Sequence, residues 1–155
     1  PLRKELAAAL RSVNMGMESH NLSYRLMRYW SAAEILYAPK NERTNAETIL
    51  NRLTFAENDE NIWIEKLKLD AVYDMRNSYV HQGNSDNDTS LLAQNLREQV
   101  LRHVYYLVFN GDDLRNIQHL VDMATMPRSS SRLDEMSLAI ERRKKILATG
   151  SHRLS

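Results

Sequence analysis

Cysteine is absent from the 155-residue chain, so it holds no disulfide framework, no thiolate metal site and no thiol nucleophile. Four glycines and three prolines are too few for the repeated turns of a β protein. No apolar run approaches membrane-spanning length and no secretory signal is visible, so no membrane contact is expected and the cytoplasm is the expected location. Neither charge is in large excess: 21 basic and 20 acidic side chains leave +1. That balance excludes a protein that coats nucleic acid through bulk electrostatics, but not a local basic site. No two histidines form a His-x-x-x-His pair, so no metal and no cofactor is expected. The chain opens on Pro1 rather than Met, which fits a piece of a longer protein or a processed chain.

What the chain has is helix formers, and their apolar spacing is helical nearly throughout. A short helix is expected from Leu2 to about Met15, with Leu6, Leu10 and Val13 on one side. Ser19 or Asn21 caps a second, which carries Leu22, Leu26, Trp30, Ala33 and Tyr37 and ends at Pro39. Thr44 or Asn45 caps a third with Ile49, Leu50 and Leu53. Asn58 or Asp59 opens a fourth through Ile62, Leu67, Leu69, Val72, Met75 and Tyr79, which stops at Gly83 before a polar loop. Asp88 or Thr89 caps a long helix to Asn110, with Leu92, Leu96, Val100, Val104 and Leu107 inward and Gly111 as its stop. A helix from Asp112 to Ala124 carries Leu114, Ile117 and Val121. Pro127 and the serines 129–131 break it, and the last helix runs from Arg132 to about Leu147, with Leu133, Met136 and Ile140 inward.

The expected fold is therefore all-α, an antiparallel helical bundle of four core helices plus extra ones. The helices centred on Trp30, Val72 and Val104, with one shorter partner, form its core. One domain spans residues 1–148, with its core at about 19–110, C-terminal helices at 112–148 and a tail at 149–155.

One cluster suggests chemistry. His81 closes a helix beside Gln82-Gly83. Asn77 stands four residues earlier on the same helical face, and Tyr73 a turn before that. Arg76 lies about 140° round the helix from His81, within reach of a long side chain. Neutral imidazole can take a proton from a ribose 2′-hydroxyl, and its conjugate acid can protonate a leaving oxygen. Guanidinium can brace charge growing on phosphorus oxygens, and an amide can hold the imidazole or the phosphate. No metal is needed. The spacing alone proves little, since Arg97 and His103 form a decoy inside an ordinary helix. By composition, a bare Arg-x(4 to 6)-His has roughly even odds of arising by chance in such a chain, and Asn directly after Arg lowers that to about one in a hundred.

The other histidines read as structural or peripheral. His103, in a very apolar helix, reads as a partly buried packing residue. His119 reads as surface, His20 lies near a helix start and His152 in the tail. Arg142-Arg143-Lys144-Lys145 is the strongest positive run, and its ordinary role is to complement a helix end and meet water.

Arg76-Asn77-Ser78-Tyr79-Val80-His81 resembles the Arg-x(4 to 6)-His signature of the HEPN superfamily, in the form with a polar residue after Arg. The stretch Tyr29-Trp30-Ser31-Ala32-Ala33-Glu34-Ile35-Leu36, followed by the motif and a long helix, is similar to the HEPN domains of ApeA-like anti-phage proteins. The resemblance covers roughly residues 20–110. It implies a metal-independent endoribonuclease of a toxin or phage-defence system. It also implies a homodimer whose two motifs face one cleft, single-stranded RNA or a tRNA loop as substrate, and an antitoxin or sensor domain as a further partner.

Carried over by position, Arg76 and His81 become the catalytic pair and Asn77 the polar helper, with Tyr73 and Tyr79 supporting. Glu34 fills the family's place for an acidic residue on an earlier helix, where it holds Arg76 by a charged hydrogen bond or is a simple surface Glu. Gly83 departs from the subgroup regulated by nucleotidyltransferase antitoxins, which has Tyr two residues after the His. The competing reading is a non-catalytic dimerisation, RNA-binding or ligand-sensing module, which near-neutral charge favours. A third is a helical fragment that serves a partner domain.

Overall fold

A computed structural model describes residues 2–40, 42–55, 69–74, 77, 88–110, 114, 116–127 and 129–150. The described residues are all-α: α1 (Leu2–Glu18), α2 (Leu22–Tyr37), α3 (Ala46–Leu53), α4 (residues 69–74, with Asn77 also helical), α5 (Asp88–Asn110), α6 (Ile117–Ala124) and α7 (Ser130–Gly150). None of these helices is long and apolar enough to cross a membrane. They fall into two compact units, residues 1–125 and 126–155.

In the first unit, local chemistry sets the helix starts. Asn21 Oδ1 accepts from the Tyr24 amide at 2.9 Å, Asn45 Oδ1 from Thr48 at 2.8 Å and Asn116 Oδ1 from His119 at 3.0 Å. Each asparagine satisfies an amide that the helix itself leaves without an acceptor. For α2 and α3 this selects Asn21 and Asn45 from the alternatives that the sequence allows. For α6 it moves the start. The helix expected from Asp112 begins at Ile117 instead, and Leu114 lies outside regular structure, half-buried.

α2 is the hub. It packs most extensively against α1 and also touches α3, α5 and α6. Leu26, Trp30, Ala33, Leu36 and Tyr37 are all at most 1% exposed, so α2 is apolar round most of its circumference, as a central helix must be. From α5, Leu96, Val100, Val104 and Leu107 close on it as their spacing predicts, and Leu69 and Val72 of α4 join the same core. Leu92 is half-buried at its margin.

α1 departs from expectation. It is 17 residues long, one more than α2, and its inner face is Leu2, Leu6, Ala9, Ser12, Val13 and Gly16. Leu10, expected inward, is exposed. The small residues let the two backbones approach. Ser12 Oγ donates to the Arg28 carbonyl at 2.8 Å, and a Cβ on Gly16 would stand 2.6 Å from the Tyr29 ring.

The second unit contains α7. The serines 130 and 131 lie inside it rather than ahead of it, and it continues to Gly150. Leu133, Met136 and Ile140, expected inward, are exposed, as is the run Arg142 to Lys145. Among the described residues of its unit, α7 has no second helix against which to bury a stripe.

Candidate functional site

Arg76, His81 and Tyr79 lie outside the described residues. Around them, the structure places Asn77 on α4, half-buried, and Tyr73 one turn earlier, half-buried and packed against the core. Val72, beside Tyr73, has no exposed surface, so α4 is a core helix, and Asn77 continues the half-buried face of Tyr73 one turn further on.

Glu34 is half-buried on α2. Its Oε1 accepts from the Trp30 indole N–H at 2.7 Å, an i, i+4 pair that fixes both side chains. The expected position at the core edge is thus observed, with Trp30 as the partner. Glu34 also lines an open cleft formed by α1, α2 and the start of α6.

A second polar cluster is buried where α2, α3 and α5 meet. His103 is completely buried, and its Nδ1 is hydrogen-bonded to the Tyr37 hydroxyl. Phe55 packs edge-on against both rings, with centroids 6.4 Å from Tyr37 and 5.0 Å from His103. Burial pushes the His103 pKa down to about 4, the neighbouring Arg102 charge adds to this, and the Leu53 backbone opposes it. Burial likewise raises the Tyr37 pKa well above its ordinary value. Both groups are therefore neutral near pH 7, and which of them donates follows from the imidazole tautomer.

Beside this pair, Arg52 is 5% exposed and bridges two elements. It donates to the Tyr37 carbonyl at 2.6 Å and to Glu42 Oε1 at 2.7 Å. The Tyr37–His103 pair reads as structural, because neither side chain reaches solvent as a nucleophile or base must. The sequence reading of His103 as a packing residue holds, with complete rather than partial burial. The pairing with Tyr37, 66 residues away, leaves no signal in the sequence.

His119 and His20 are exposed. Among the described residues no group of three or more His, Cys, Asp or Glu side chains is placed to hold a metal ion. No family model, curated protein or solved structure matches the chain.

Proposed function

We propose that this chain is a metal-independent endoribonuclease that cuts single-stranded or loop RNA with Arg76, Asn77 and His81. The observation that carries this reading is the run Arg76-Asn77-Ser78-Tyr79-Val80-His81 following a core helix, with its resemblance to the HEPN signature. The burial of Leu69 and Val72 and the half-burial of Asn77 support it, because they anchor the approach to the motif on a rigid element.

In the proposed step, the neutral His81 imidazole takes the proton of a ribose 2′-hydroxyl. The 2′-oxygen attacks the adjacent phosphorus, the new O–P bond forms and the bond from phosphorus to the 5′-oxygen breaks. An imidazolium returns a proton to that leaving oxygen. Arg76 braces the charge on the non-bridging oxygens, and Asn77 orients the imidazole or the phosphate. The products are a 2′,3′-cyclic phosphate and a 5′-hydroxyl. Single-stranded RNA suits this step because its backbone can align the 2′-oxygen with the leaving oxygen. A second copy of the chain would supply the second imidazole, and the setting would be a toxin or phage-defence effector, held in check by an antitoxin or sensor partner.

Purified protein incubated with single-stranded RNA in EDTA tests the reading. Cleavage is expected in the native chain and not in Arg76→Ala or His81→Ala. A requirement for divalent metal, or full activity in His81→Ala, overturns it. The non-catalytic alternative, a dimerisation or sensing module, draws on the near-neutral net charge of +1. It predicts no cleavage under any condition.

A further inference from the structure

α5 has two faces that carry large apolar side chains, and only one of them is covered. Its inner face, Ala93, Leu96, Val100, Val104 and Leu107, is at most 3% exposed. Those residues share one core with Leu69 and Val72 of α4, so the outer face of α5 is turned away from the helix that leads to Arg76. On that outer face Leu91 is 62% exposed, Tyr105 61% and Phe109 76%. Exposed aromatic side chains on one rigid helix have the chemistry of a protein contact.

The spacing of this face is regular. Leu91, Asn95, Glu98, Arg102, Tyr105 and Phe109 follow one another at intervals of four, three, four, three and four residues. Asn95 is half-buried and the others are exposed. Such spacing keeps a seam on one side of a helix that pairs with another helix. The order of the six residues is also its own complement. When the same face of a second copy runs the opposite way, Leu91 meets Phe109 of the second copy, Asn95 meets Tyr105 and Glu98 meets Arg102, and each pair recurs by symmetry. A parallel arrangement would set Glu98 on Glu98 and Arg102 on Arg102, which like charges oppose. A slip by one repeat would set Phe109 on Glu98 or Leu91 on Arg102, so the register is fixed as well. Glu98 already accepts from Gln94 at 3.0 Å and lies 3.9 Å from Arg97, both at Oε1. Exposed contacts of that kind contribute little, and a carboxylate accepts at two oxygens.

We propose that the outer face of α5 is a self-pairing surface on which a second copy of this chain docks antiparallel. Leucine–aromatic contacts close its two ends, and two Glu98–Arg102 ion pairs lie at its centre. The contact uses no residue of the Arg76 motif, and it lies on a face turned away from α4. It is therefore a different contact from one that brings two motifs to a common cleft. A seam one helix wide is smaller than a standard interface, so the pair forms reversibly.

Disulfide trapping tests the proposal cleanly, because the chain has no cysteine of its own. Leu91→Cys and Phe109→Cys are made in separate preparations of the full chain, and each is oxidised mildly alone and as an equal mixture. Antiparallel pairing brings residue 91 of one copy to residue 109 of the other, while like positions stand about 27 Å apart along the helix. A disulfide needs Cα atoms within about 7 Å, so the mixture is expected to give about fivefold or more crosslinked dimer than either variant alone. Adding Glu98→Arg to both chains should cut the yield about tenfold, and adding Arg102→Glu as well should restore it. No crosslink in the mixture, equal yields from the mixture and the single variants, or no effect of Glu98→Arg overturns the proposal. So does a dimer seen by sedimentation that leaves residues 91 and 109 unlinked. RNA cleavage is read separately in the native chain, so failure here leaves the nuclease reading standing and the reverse also holds.

Discussion

The Tyr37 hydroxyl is hydrogen-bonded to His103 Nδ1 in the centre of the first unit, joining α2 to α5 across 66 residues of sequence. Both groups are neutral because both are buried, and this makes stability depend on pH. His103 has an ordinary pKa of 6.5 when unfolded and about 4 when folded. Above pH 6.5 neither state holds the proton and the fold loses nothing. As the pH falls from 6.5 toward 4, the unfolded chain takes up a proton that the folded chain refuses. Stability should drop by up to about 3 kcal/mol over that window. Urea titrations of the native chain and of His103→Gln at several pH values check this. The native chain should lose more stability than the variant on going from pH 7 to pH 4.5, and equal slopes would refute the assignment.

Tyr37→Phe removes the hydroxyl and leaves His103 Nδ1 buried and unpaired. The expected cost is about 1–3 kcal/mol at pH 7, read as a fall in the urea midpoint without a change in slope.

Arg52 and Glu42 form one ion pair with unequal partners, since Arg52 is buried while the Glu42 side chain is 41% exposed. Glu42→Gln should cost less than about 1 kcal/mol, because the carboxylate stays near water. Arg52→Ala should cost about 2–4 kcal/mol, because it strips the Tyr37 carbonyl of its donor and opens a void. Thermal melts of the two variants should therefore differ clearly. Similar losses would mean that the ion pair, rather than the bond to the carbonyl, is what matters.

Gly16→Ala should destabilise the chain although alanine is the better helix former by about 1 kcal/mol. The added methyl meets the Tyr29 ring at 2.6 Å and the Arg28 Cβ at 3.2 Å. Overpacking of this kind costs about 1–3 kcal/mol. Pairing it with Tyr29→Leu should recover part of the loss, measured as a coupling energy in a double-mutant cycle. A rise in melting temperature for Gly16→Ala alone would show that α1 and α2 are not held this closely.

Asn77→Ala should weaken RNA cleavage by about 10²-fold, less than His81→Ala, because an orienting or charge-bracing donor contributes less than the group that moves the proton. Single-turnover rates on one RNA oligonucleotide check the order. An Asn77→Ala rate equal to that of the native chain removes Asn77 from the site.

Much of the first unit was legible from residue spacing. The stripe Leu96, Val100, Val104 and Leu107 and the stripe Leu26, Trp30, Ala33 and Tyr37 became core as their period demands. Large apolar residues misled the reading of α1. Leu10 continued the pattern from Leu6, but the helix turned Ala9, Ser12 and Gly16 inward, because close approach to α2 rewards small side chains over bulk. α6 starts after Asn116, which accepts the His119 amide, a start that periodicity does not mark. In α7 the stripe of Leu133, Met136 and Ile140 was legible as a pattern but not as burial, which depends on a partner that no local rule supplies. The site divides in the same way. The motif was visible as sequence, whereas the Tyr37–His103 pair and the cleft that Glu34 lines exist only through contacts distant in the chain.

The proposed cleavage by Arg76, Asn77 and His81 runs through the RNA's own 2′-hydroxyl. The most direct measurement is the chemistry of the cut ends, made in EDTA on one single-stranded oligonucleotide and on its copy with a single 2′-deoxy residue at the cleaved position. Expected are 2′,3′-cyclic phosphate and 5′-hydroxyl ends, no cut at the deoxy position, and loss of both products in His81→Ala. Cleavage of the deoxy copy, or 5′-phosphate ends that appear only with added divalent metal, would contradict it.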